Sequence, residues 1–108
     1  MRRKKTDRGA SGPAVTTVVV MRLYIAGSAP NSVLAIANLE AICREHLKGM
    51  HKLEIVDILE QPLRALADGV LVSPSLTKVS PPPAANVVGN LSDTSKVLLA
   101  LGLKGKFA

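Results

Sequence analysis

At 108 residues, with 47% hydrophobic residues and a net charge of +6, the chain can bury one domain core but not two. A single cysteine, Cys43, excludes an internal disulfide and a cysteine-based zinc site, and the lack of Trp leaves an aliphatic core of Val, Leu, Ile and Ala. No apolar stretch reaches the roughly 20 residues of a membrane span, because Arg22 interrupts the strongest run.

Residues 1–15 hold five Lys or Arg against one Asp, so most of the positive charge sits in a basic arm. Nothing structural accompanies those charges, and the segment reads as a disordered tail ahead of a domain over residues 16–108. Met1-Arg2-Arg3-Lys4-Lys5 is followed by Thr6-Asp7-Arg8-Gly9 rather than an apolar segment, which predicts a cytoplasmic protein without a signal peptide.

Val18 to Ala26 is rich in β-branched residues and carries only Arg22 as a charge, the pattern of a central strand covered on both faces. Gly27-Ser28-Ala29-Pro30-Asn31-Ser32 then breaks the strand, with Asn31 or Ser32 expected to cap a helix running from about Ser32 to Lys48. Ile36, Leu39, Cys43 and Leu47 give that helix an apolar face, which makes Cys43 a core residue rather than a reactive thiol. Gly49 supplies its left-handed stop. His46 and His51 lie nearby without a third ligand at useful spacing, so no metal is expected.

Lys52 to Leu59 reads as a second strand parallel to the first, with Asp57 near its end in a capping or salt-bridge role. Pro62 suits the first position of a short helix whose buried side is expected from Leu63, Leu66 and Ala67, closed by Gly69. Pro74 interrupts the apolar run Val70 to Val79, and a cis Ser73–Pro74 bond at a strand entrance, facing the loop that carries Pro30, reconciles the two. Pro81-Pro82-Pro83 reads as a stiff connector, Asn86 to Asn90 as a short strand ending in a turn, and Ser92 or Asp93 as caps of a last helix, Thr94 to Leu101, stopped by Gly102. Leu103 to Ala108 reads as a loose basic end.

The resulting order, βαβαββα in a single α/β domain, is that of thioredoxin-like proteins. Those carry Cys-x-Pro-Cys after the first core strand, where the helix N-terminus lowers a thiol pKa. Here Ser28-Ala29-Pro30-Asn31 keeps the proline and lacks both sulfurs. No phosphate-binding glycine loop, nucleophile elbow or paired carboxylate appears, so neither a catalytic residue nor a cofactor is expected.

Leu23-Tyr24-x-Ala26-Gly27-x-x-Pro30-Asn31-Ser32, then Val56-Asp57, Pro62 and Pro74, Pro81-Pro82-Pro83, and Gly89-x-Leu91-Ser92-Asp93-x-x-Lys96-Val97-Leu98 occur in that order. Together they resemble the KaiB family of circadian clock proteins over about residues 18–101. The resemblance implies a non-enzymatic regulator that binds the hexameric ATPase KaiC, in concert with KaiA and histidine kinases, and turns its phosphorylation cycle. It also implies a metamorphic chain, in which about residues 60–102 pair differently in a tetrameric resting form, βαββααβ, and in the thioredoxin-like form that binds KaiC. Two packings of one sequence then differ by only a few kcal/mol.

Against the family pattern, Leu66-Ala67-Asp68-Gly69 replaces Glu-Glu-Asp-Lys, and Glu54 stands where lysine is common. With the basic tail, these changes imply a homologue outside the core clock, acting in stress or environmental adaptation with a dedicated KaiC-like partner. Glu54, Asp68, Gly69, Gly89, Asp93, Lys96 and Ala100 are the candidate residues for the partner interface or the fold switch, beside the motif loop Gly27, Pro30, Asn31 and Ser32. Ala100 in a well-capped helix favours the thioredoxin-like form in solution. Self-association as a dimer or tetramer is compatible with this reading. Two rivals stand beside it: a thiol oxidoreductase, which the missing sulfurs oppose, and a nucleic-acid binder driven by the tail, which lacks aromatic stacking platforms.

Overall fold

The computed structural model describes residues 18–103, so the basic arm over residues 1–15 and all but the first residue of the expected C-terminal end lie outside the described residues. Eight elements follow in order: β1 (Val19–Ile25), α1 (Pro30–Ile42), a π-helical turn (Cys43–Leu47), β2 (His51–Asp57), α2 (Pro62–Ala67), β3 (Ser75–Ser80), β4 (Ala85–Val88) and α3 (Thr94–Ala100). The order is βαβαββα, the thioredoxin-like arrangement. The strands form one sheet in the order β2-β1-β3-β4. β1 is parallel to β2 through α1 and antiparallel to β3, and β3 pairs antiparallel with β4.

Strand side chains alternate between faces. On one face Met21, Leu23, Leu76 and Val87 join Leu39 and Ile42 of α1 and Val97 and Leu98 of α3 in a single aliphatic core. β1 is central because two strands flank it, and its apolar run reflects that position. The opposite face carries Arg22, Tyr24, Glu54 and Thr77, and over part of it lies α2, only six residues long.

Several boundaries differ from the sequence reading. α1 begins at Pro30, whose missing N–H suits the first helical position, so Asn31 and Ser32 are inside the helix and neither caps it. The N-cap is Ala29, without a side-chain cap, and the Ser32 hydroxyl instead accepts a hydrogen bond from the Ala26 N–H at 2.9 Å. The helix expected to run to Lys48 becomes a π-helical turn at Cys43, and Lys48 itself takes the left-handed conformation ahead of Gly49. Cys43 is buried in the core, and burial, with a smaller contribution from Glu40, raises its thiol pKa.

The second strand starts one residue earlier than expected and ends at Asp57, and Val70 to Val72 are not strand. Pro81 to Pro83 form the bend of the β3–β4 hairpin rather than a stiff connector between separate segments. The Ser73–Pro74, Ser80–Pro81 and Pro82–Pro83 peptides are cis.

Candidate partner-binding surface

One end of the sheet gathers the motif loop. Gly27 has φ +54, and a Cβ there would sit 3.2 Å from Leu59 Cδ1, so both conformation and space favour glycine. Its N–H donates to Asp57 Oδ1 at 3.1 Å, and the same oxygen accepts from the Leu59 N–H at 2.9 Å. Asp57 thus ties the loop after β1 to the loop after β2, a capping role. Ser75 pairs with Tyr24, which places Pro74 at this same end, and the Pro74 carbonyl accepts from the Gly89 N–H at 2.9 Å. The end carries Ser28 and Asn31, and no cysteine.

The face under α2 carries a connected polar network. Arg64 donates twice to Glu54, at 2.6 and 2.7 Å, and Arg22 Nε lies 3.4 Å from the same carboxylate. The Tyr24 hydroxyl donates to Asp68 Oδ2 at 2.8 Å, with Arg64 Nε at 3.6 Å and Arg22 Nη1 at 3.7 Å from that oxygen. Bidentate guanidinium–carboxylate pairing is the strongest of these contacts. The Arg64 hydrogen bonds chiefly hold the Glu54 carboxyl below its ordinary value and raise the Arg64 pKa in turn. Burial chiefly raises the Tyr24 pKa, and the hydrogen bond to Asp68 adds to it.

This network fixes which side of α2 faces the sheet, and it reverses the expected one. Leu63 and Leu66 are 80% and 70% exposed, and Ala65 is the buried residue of the helix. The sheet beneath presents Arg22, Tyr24 and Glu54, so Arg64 and Asp68 are the side chains that find partners there and the leucines turn outward. Leu71 follows at 90% exposure, with Val72 also exposed. Beside them is a hollow of about 280 Å³ lined by Asp68, Gly69, Leu71, Val72, Thr77 and Val88.

A second, smaller hollow of about 130 Å³ brings Gly89, Asp93 and Lys96 together, and Val88 of β4 borders both. Here the Asp93 carboxylate accepts from the Lys96 N–H at 3.1 Å and caps α3. Ala100, in the last turn of α3, is partly buried against the core. The candidate residues therefore form three groups: the motif loop at one sheet end, Glu54, Asp68 and Gly69 around α2, and Gly89, Asp93, Lys96 and Ala100 around the start and body of α3.

Arg22, Tyr24 and Arg64 were not among the candidate residues. Two signals point to them: the i, i+2 placement of Arg22 and Tyr24 on one strand face, and the i, i+4 spacing of Arg64 and Asp68. Among the described residues, no group of three His, Cys, Asp or Glu is placed to hold a metal, and no helix is long and apolar enough to cross a membrane.

A family model described as the KaiB domain matches residues 22–103. Circadian clock protein KaiB3 of Synechocystis sp. is 46% identical over 85 residues, spanning 79% of this chain and 83% of that protein. Circadian clock oscillator protein KaiB of Rippkaea orientalis is 43% identical over 84 residues, 78% of this chain and 81% of that one. The protein of the same name from Prochlorococcus marinus is 40% identical over 90 residues, 83% of each chain. The solution structure of the N-terminal domain of Synechococcus elongatus SasA matches with a TM-score of 0.66 at 18% identity, covering 91% of this chain and 96% of that one, a likeness of fold alone. With the family model matching residues 22–103 and relatives 40–46% identical over most of its length, the chain belongs to the KaiB family of circadian clock proteins.

Proposed function

We propose that this chain is a non-catalytic cytoplasmic regulator that docks a KaiC-type hexameric ATPase through the α2 face and modulates its phosphorylation and ATPase cycle. The observation that carries this reading is the row of outward leucines, Leu63, Leu66 and Leu71, beside a polar network satisfied within the chain. Large apolar side chains left exposed on α2 and on the segment after it are what an interaction surface presents. Glu54 and Asp68 already have partners in Arg64, Arg22 and Tyr24, so apolar contact, more than free charge, is what this face offers a partner.

Leu66 in place of an acid and Gly69 in place of a lysine fit a dedicated KaiC-like partner and a role in stress or environmental adaptation. A histidine kinase is the second candidate partner. In the absence of the partner, the leucines favour self-association as a dimer or tetramer. The thioredoxin-like form is the dominant one in solution, and extended-strand amide shifts at Val97 to Leu101 would overturn that.

The test is a pull-down of the tagged full chain from its own cell lysate with ATP or ADP present, alongside Leu66→Glu and Leu71→Glu. Recovery of a KaiC-like ATPase by the native chain, and its loss with either variant, is expected. Recovery that both variants leave unchanged would remove the α2 face from the interface, and failure to recover any such ATPase would remove the partner.

A further inference from the structure

At the opposite end of the sheet from the motif loop, where β1 begins and β3 ends, a groove of about 510 Å³ opens on the core face. Its walls are apolar, from Val19, Leu47, Met50 and Leu101, and Pro81 to Pro83 form a stiff lip along one side. Lys78 also lines it. This lysine pairs with Met21 in the sheet and shares the core face with Leu76 and Val87, and it is only 4% exposed. Its Nζ lies 3.8 Å from the position a Cβ would occupy on Gly102, just past the end of α3.

The aliphatic stem of Lys78 is buried among apolar side chains while the residue lines the groove, so its ammonium is the polar group the groove offers to an anion. Among the described residues no carboxylate lies within 4.0 Å of Lys78, and none of the residues lining the groove is acidic. The negative end of the α3 dipole offsets part of the charge. Lys48, which follows the π-helical turn, adds further positive character to the rim. Grooves of this size, mostly apolar with a few convergent polar groups, are the usual form of small-molecule sites.

We propose that this groove binds a free medium-chain carboxylate, its head group on the Lys78 ammonium and its chain along Val19, Leu47, Met50 and Leu101. Charge complementarity selects the anion, and the apolar walls select its tail. The site is on the other face of the sheet from α2 and is independent of the partner proposed above.

The test is amide NMR of the isotope-labelled full chain titrated with octanoate and, separately, with octan-1-ol, which keeps the tail and removes the charge. Saturable shifts at Leu47 to Met50 and Leu101 to Leu103 are expected with octanoate, and binding of octanol about tenfold weaker or more, the loss of one charge-assisted hydrogen bond. Lys78→Met, which keeps most of the apolar stem, is expected to lower octanoate affinity to that of octanol. Octanol binding as tightly as octanoate, shifts confined to the α2 face, or no saturable shift into the millimolar range would each overturn the proposal. The comparison of the two probes on the native chain decides the matter even if Lys78→Met does not fold.

Discussion

On the core face of the sheet, Met21, Leu23, Leu76 and Val87 are sealed by α1 and α3, whereas on the other face Arg22, Tyr24, Glu54 and Thr77 meet a six-residue helix that turns its leucines outward. One side is held by close aliphatic packing, which needs no partner. The other is held by directional polar contacts, which fix where α2 sits but leave its apolar side chains unburied. A fold can therefore be complete in its core and still present a face that only a second molecule would cover.

Truncating a leucine on each face gives the largest expected contrast. Leu39→Ala, at a fully buried position, is expected to lower stability by about 2–5 kcal/mol, and Leu66→Ala by less than about 0.5 kcal/mol, in urea unfolding. Equal losses would mean that Leu66 is buried in solution, and a concentration-dependent midpoint for the native chain would then identify self-association as the cover. Next in size, Tyr24→Phe removes the hydroxyl that donates to Asp68 and is expected to lower stability by about 1 kcal/mol. Because the Tyr24 pKa is raised on folding, its contribution is fully present below the unfolded value near about 10 and is lost as pH rises through the higher folded value. The phenylalanine variant should lack that alkaline slope.

Ala100→Gly addresses the element on which the thioredoxin-like form depends. Glycine in a helix interior is less favourable than alanine by about 1 kcal/mol, and Ala100 is the last residue of α3, so a loss below that size with unchanged amide shifts elsewhere is expected if α3 is helical in solution. A larger change, with new extended-strand signals at Val97 to Leu101, would show that the C-terminal half has a second packing within reach.

The order of elements was legible because each carries its own local signal. β1 reads from its β-branched run, α2 from Pro62, α3 from Asp93 as its cap, and the helix stops from Gly49, Gly69 and Gly102, all at positive φ. The facing of α2 was not legible, since Leu63 and Leu66 at i, i+3 suggest a buried stripe whatever lies beneath. What lies beneath is set by register: Arg22 pairs with Glu54, forty-four residues separate Tyr24 from Asp68, and neither relation is local. Ser32 was misread for a related reason. Its hydroxyl does accept a backbone N–H, but from Ala26 across the turn rather than from its own helix, because Pro30 had already begun that helix.

The smallest expected effect separates the charge contacts of the α2 face from its hydrogen bond at Tyr24. The folded-state pKa of Glu54 is depressed, chiefly by the two hydrogen bonds from Arg64, so its contribution is present above the unfolded value near about 4.3 and is lost as pH falls through the lower folded value. Both groups are exposed enough for solvent and salt to screen the pair, which keeps the effect small. Arg64→Met should therefore flatten the acid limb of the stability profile while leaving the alkaline limb, which belongs to Tyr24, in place. Added salt should flatten the native acid limb in the same way and leave Arg64→Met nearly unchanged. If Arg64→Met instead lowered stability equally at all pH values, the residue would be acting through the packing of its aliphatic stem, and α2 would be held to the sheet by burial after all, as the other two helices are.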